Sequence, residues 1–174
     1  MRILMALALV VLTMAPVAAQ EKLVAPKGVR LTLAGAEYAM AAALKKAEEM
    51  NLKVCITIVD DGGHLLHFSR MDGARPGSAY TALTKAQTAA LIRGETGPRP
   101  SEDNVDIHLS LSLEGSAAVS GGKFTTLKGG VPIVVDGEVI GALGVGGATG
   151  EQDREIARAA AKALADAITS GAAR

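Results

Sequence analysis

A chain of 174 residues, 49% of them hydrophobic, is long enough for one domain with a buried core. Its 18 basic residues balance 18 acidic ones, which leaves none of the basic footprint that nucleic-acid binding requires. The one cysteine, Cys55, excludes a disulfide framework and a cysteine-rich metal centre, and the 2% aromatic content gives any pocket aliphatic walls.

The first nineteen residues read as a secretory signal. Arg2 is the positive start, Ile3 to Val11 is the apolar run, and Val17-Ala18-Ala19 supplies small residues for cleavage after Ala19. That run is too short to span a bilayer. The expectation is therefore an exported protein, periplasmic or secreted, with residues 20–174 as a single domain that is not inserted in the membrane. Losing Arg2 leaves 17 basic residues against 18 acidic ones.

A helix is predicted over Leu31 to Met50, capped by Thr32, with Ala36, Met40, Ala43, Leu44 and Ala47 on one side. Val54 to Asp60 reads as a strand, and Asp61-Gly62-Gly63 turns it into a second strand, His64 to Arg70. Strict alternation there points His64, Leu66, Phe68 and Arg70 one way, and Leu65, His67 and Ser69 the other. A second helix is expected over Gly77 to Arg93, with Ala79, Leu83, Ala86 and Ala90 inward and Gly94 as its C-terminal glycine. Prolines at 98 and 100 break the chain, and Glu102 to Leu113 is read as a short helix, although its apolar spacing also suits a strand. Lys123 to Leu127 is expected to add a strand. Val131 to Val135, Asp136-Gly137 and Val139 to Val145 form the clearest hairpin. Thr149 and Gln152 open a last helix to Ile168, with Ile156, Ala160, Ala163, Leu164 and Ala167 inward. The order implies an α+β domain with an antiparallel sheet of about five strands flanked by helices, one sheet face covered and the other free for subunit packing.

Two long stretches, ITIVDDGGHLLHFSRMDGA from Ile56 to Ala74 and GGVPIVVDGEVIGALGVGGATGEQDREIARAA from Gly129 to Ala160, carry a family pattern. Ser78, Lys85-Ala86 and Thr88-Ala89-Ala90 lie between them. The chain resembles the GlcG/HbpS family of haem-binding-type small domains, related to the C-terminal domain of PduO-type proteins. That resemblance implies a profilin-like fold, a homo-oligomer and haem or a related tetrapyrrole as cofactor. Between Pro98 and Lys123 the chain departs from the more apolar family pattern, which implies a changed ligand chemistry if this stretch walls the pocket.

Three histidines, His64, His67 and His108, are the candidate haem or metal ligands, because imidazole nitrogen binds iron well. Alternation sets His64 and His67 on opposite sides, which keeps them from sharing one metal. Arg70 and Asp72 emerge where a strand meets a loop, where an Arg fork can grip a carboxylate or a haem propionate. Lys85 and His64 complete the candidate ligand-binding set, and a solvated helix face is the plainer reading of Lys85. The glycines from Gly141 to Gly150 follow no dinucleotide or P-loop spacing; close packing of strand against helix is their plainer explanation, and anion binding by free backbone N–H groups there stays open. No nucleophile elbow or metalloprotease helix occurs, so no catalytic residue is singled out. The leading expectation is an exported, oligomeric protein that binds a small molecule, with haem first. A small enzyme or accessory acting on a hydroxy or keto acid stays open, as does a ligand-free partner of a membrane sensor.

Overall fold

The computed structural model describes residues 28–170, so the expected signal segment lies outside the described residues. Helix α1 spans Leu33–Glu49. Strands β1, Cys55–Asp60, and β2, Leu65–Arg70, form the first hairpin. Helices α2, Ser78–Leu91, and α3, Ile107–Ser120, precede the second hairpin of β3, Gly130–Val135, and β4, Glu138–Gly146. Helix α4, Gly150–Thr169, ends the fold. The four strands pair antiparallel in the order β2-β1-β4-β3, which places the two hairpins side by side through β1 and β4.

The local signals act as the sequence indicates at several points. Thr32 accepts a hydrogen bond from the Gly35 N–H at 3.1 Å to start α1. Thr149 and Gln152 make both halves of a capping box at α4. Between β3 and β4, Asp136 and Gly137 both take positive φ, 52° and 81°, the pair of angles that a two-residue turn needs to match the twist of its strands.

Each sheet face is covered, which corrects the expectation of a free face. On one side Ala36, Met40, Ala43 and Ala47 of α1 meet Ile156, Ala160 and Leu164 of α4 over Ile56, Ile58, Ile133, Leu143 and Val145. On the other, α2 lies across β1, β4 and β3, with Ala86, Ala89 and Ala90 against Val59 and Ala142. Cys55, fully buried, packs there with Ala74 and Ala82. Burial pushes its thiol above the usual range, against the pull of the Arg70 charge.

The reason that α2 can lie so close is the glycine content of β4. A Cβ added to Gly144 would stand 2.0 Å from the Ala82 carbonyl oxygen and 2.4 Å from the Ala86 nitrogen. Close packing of strand on helix therefore explains this segment. It also fixes the inward face of α2, which includes Ser78, Ala82, Lys85, Ala86, Ala89 and Ala90: Ala86 and Ala90 lie inward as expected, whereas Ala79 and Leu83 are only partly buried. The end of α2 differs as well: Arg93, at φ 52°, takes the left-handed position, while Gly94 donates back to the Ala89 carbonyl.

Three further differences concern the edges. A bulge between Ile58 and Val59 shifts the β1–β2 register, so Val59 faces Leu65 while Ile58 faces His67. Strict alternation fails there, and Leu66 packs into the α1 and α4 core while Leu65 is exposed. The expected strand at Lys123 to Leu127 is absent, and the sheet has four strands rather than about five. In that segment side chains replace a ladder: the Thr125 N–H donates to Thr88 Oγ1, and the Thr126 N–H to Glu114 Oε1. Finally, α3 starts at Ile107 under an Asp106 cap, later than expected, and runs to Ser120 with no buried residue.

Candidate functional site

Two of the molecule's concavities, opposite in chemistry, bear on ligand binding. The first is an apolar groove of ≈ 500 Å³ between the start of α1, the end of α4 and the β3–β4 turn. Its walls are Leu31, Val135, Ile140, Leu164 and Ile168, with Arg30, Thr32, Tyr38 and Asp136 as the polar groups among the lining residues. Its walls are aliphatic, as the composition requires, and Tyr38 is half exposed.

The second is a polar cleft of ≈ 210 Å³ where the end of β4 and the first half of α2 meet the start of α4. At its base is a buried ion pair. The Lys85 ammonium donates to Asp153 Oδ2 at 2.7 Å and to the Val145 carbonyl at 2.8 Å, and the Ala148 N–H donates to Asp153 Oδ1 at 3.1 Å. Burial holds the Asp153 carboxyl above its usual range, against the pull of the Lys85 ammonium. Arg75 lines the same cleft and donates to the Gly147 carbonyl at 3.2 Å. Lys128, also in the lining, is paired with Glu102 and Glu151.

Of the residues singled out from sequence, only Lys85 lines either concavity, and it is buried rather than on a solvated face. Arg70 is exposed and closes its own loop through a bond to the Ala74 carbonyl at 3.1 Å, and Asp72 is exposed nearby. The hairpin exit thus presents them at the surface, outside both concavities. His67 sits on the inward side of β2 with its Nδ1 buried and unpartnered, and His108 is exposed on α3. Among the described residues no cluster of three or more His, Cys, Asp or Glu is placed to hold a metal.

His64 belongs to a turn. Asp60 Oδ1 accepts from the backbone N–H groups of Gly62 and His64 at 2.9 and 2.8 Å, and the His64 Nδ1 lies 3.2 Å from both carboxylate oxygens. Burial alone would raise the Asp60 carboxyl, but these contacts together hold it below its usual range. The carboxylate steadies the ring through Nδ1 while the side chain stays 82% exposed, and a carboxylate behind one ring nitrogen is the support that metal-ligating imidazoles use. Replacing Asp60 with Ala is expected to cost about 1–2 kcal/mol at neutral pH through the lost turn bonds. A carboxyl with a lowered folded value stabilises above its unfolded value and loses that contribution on acidification. Urea melts of the two proteins should therefore differ at pH 7 and draw together on acidification, as the Asp60 carboxylate takes up its proton.

Sequence reasoning missed Arg75, Asp153 and the groove residues Arg30 and Tyr38. A signal for Asp153 existed: it falls three residues before Ile156 on the inward stripe of α4, a carboxylate where an apolar group belongs.

The family model for the haem degrading protein HbpS-like matches residues 31–162, from the start of α1 into α4. The chain belongs to the HbpS-like family. Protein GlcG of Escherichia coli strain K12 is 47% identical over 106 residues, covering 61% of this chain and 73% of that protein. The crystal structure of Klebsiella pneumoniae protein ORFY superposes with a TM-score of 0.69 at 32% identity, over 80% of this chain and 94% of that one. A PduOC:heme complex superposes with a TM-score of 0.64 at 29% identity, over 78% and 95% of the two chains.

An HbpS-like chain raises the question of whether these residues suit haem. The apolar groove does. Its volume lies in the range of small-molecule sites. Its aliphatic walls suit a macrocycle, Arg30 offers a cation for a propionate, and the Tyr38 phenol is a known type of haem-iron ligand. The polar cleft, less than half that volume and built around an ion pair, does not.

Proposed function

We propose that this protein is an exported, homo-oligomeric binding protein for haem or a related tetrapyrrole, held in the groove beside Tyr38. The observation that carries this reading is the groove itself: an aliphatic concavity of ≈ 500 Å³ with a guanidinium, a phenol and one carboxylate, Asp136, in its lining. The haem-containing family relative supports it. Bound haem would supply an iron centre, and the chain's own residues would enclose the macrocycle and hold its propionates. Hemin titration of the domain from residue 20 should give a saturating Soret shift at a fixed stoichiometry. Tyr38→Phe and Arg30→Ala should weaken it by roughly tenfold or more, the loss of one charged or ligating contact. A featureless, non-saturating titration would remove the haem reading. Loss of binding in His64→Ala with Tyr38→Phe unchanged would move the iron to the Asp60–His64 turn.

Homo-oligomer formation is supported by α3. Ile107, Leu109, Leu111 and Val119 are all exposed on a helix that has no fully buried residue and only a partly covered side, including Leu113 and Ala117. A helix with apolar groups on every side is normally covered. Leu111→Asp, at an exposed position, should leave the fold intact and lower the mass seen by light scattering. An unchanged mass in this variant removes α3 from the subunit contact. Export is tested by expressing the whole chain and sequencing the N-terminus of the mature protein, which should begin near Gln20.

A further inference from the structure

The Lys85–Asp153 pair has no role in the groove, and stability alone is a weak reason for it. Their side chains are 5% and 2% exposed, and a buried ion pair is often no more stabilising than an apolar pair of equal volume. This pair opens onto a cleft, where perturbed charges commonly serve binding. An ammonium has three donors, and two of those on Lys85 are committed, to Asp153 and Val145. The third is uncommitted. Arg75, exposed at the same cleft, spends one N–H on Gly147 and keeps the rest of its fork free. Gly129 packs directly on the pair: a Cβ there would stand 3.1 Å from Lys85 Nζ and 2.7 Å from Asp153 Cβ.

Charge and size define what fits. Lys128 and Arg154 share Glu102 and Glu151, and those four charges cancel, so Arg75, Lys85 and Asp153 leave the cleft with a surplus of one positive charge. A monoanion balances that surplus, whereas a dianion would meet the Asp153 carboxylate unpaired. A volume of ≈ 210 Å³ admits a handful of non-hydrogen atoms. We infer that the cleft binds a small monocarboxylic acid, its carboxylate bridged between the Arg75 guanidinium and the free Lys85 donor. A hydroxyl on the neighbouring carbon would find an acceptor in Asp153. This site is separate from the groove and goes beyond the haem reading.

Acetate, lactate and pyruvate, with sulfate as the dianion control, should be titrated into ¹⁵N-labelled protein. The monocarboxylates should shift the amides of Gly147, Ala148 and Gly150 to saturation, and sulfate should bind more weakly. Arg75→Ala, an exposed position whose amide spectrum checks the fold, should weaken binding by roughly tenfold or more, and Arg75→Lys should fall between. Tyr38→Phe should leave it unchanged, so failure of haem binding and failure of this site are distinguishable. The inference is overturned if no monocarboxylate saturates, if folded Arg75→Ala binds as the parent does, or if sulfate binds as tightly.

Discussion

Replacing Lys85 with Met is expected to destabilise the protein by about 3–5 kcal/mol at neutral pH, because it leaves a carboxylate buried without its cation. Only the Ala148 N–H would then serve Asp153, whose side chain is 2% exposed. The pH dependence has a definite sign. Burial already holds the folded Asp153 carboxyl above its unfolded value, so ionising it works against folding. Stability from this group is complete below the unfolded value and is lost as pH rises through the folded one. Removing the ammonium raises the folded value further. The deficit of Lys85→Met relative to the parent should therefore be largest at pH 7 and shrink on acidification as the carboxyl takes up its proton. Adding Asp153→Leu to Lys85→Met should recover much of the loss, since an apolar pair of similar volume is tolerated where a lone charge is not. Urea denaturation of the three proteins at two pH values decides it. A single variant as stable as the parent at pH 7, or a double variant no better than the single, would show that the pair is not closed off from water as described.

Gly144→Ala should also be severe, costing at least about 3 kcal/mol, the upper part of the range for overpacking. The new methyl would overlap the Ala82 carbonyl and the Ala86 nitrogen, both in the backbone of α2, so no rotamer change relieves it. Either α2 lifts from the sheet or β4 bends, and the contacts of Val59 and Ala142 with Ala86 and Ala89 loosen together. Gly115→Ala in α3 is the matched control, with nothing within 4 Å of the added carbon. It should raise stability by about 0.5–1 kcal/mol, as the change does inside exposed helices. Thermal melts of the two variants should shift in opposite directions, and similar small shifts would refute the tight contact.

Much of the fold was legible because short-range signals and hydrophobic period agreed. Thr32, the Asp136-Gly137 turn and the Thr149–Gln152 box each act locally, and local chemistry decided those elements. The second sheet face was not legible. Its cover depends on α2 seating against Gly144 and Gly146, and a glycine looks the same in sequence whether it bends a loop or admits a helix. The bulge at Ile58/Val59 was equally silent, and it reversed the facing of Leu65 and Leu66. For the polar cleft, the sequence held two halves of a signal. Lys85 and Asp153 each interrupt an inward stripe of small apolar residues, with opposite charge, 68 residues apart. Each alone reads as a surface charge, and only together do they require one another. Arg75 carried no such mark, since a loop arginine before a helix is ordinary.

The placement of Cys55 turns the molecule into its own stopwatch. The chain's sole sulfhydryl is sealed between the start of β1, Ala74 of the loop before α2 and α2 itself, so an alkylating reagent can reach it only after that layer parts. The rate of its modification counts those openings directly, without an introduced label, and separates peeling of the α2 layer from fraying at the far side of the sheet.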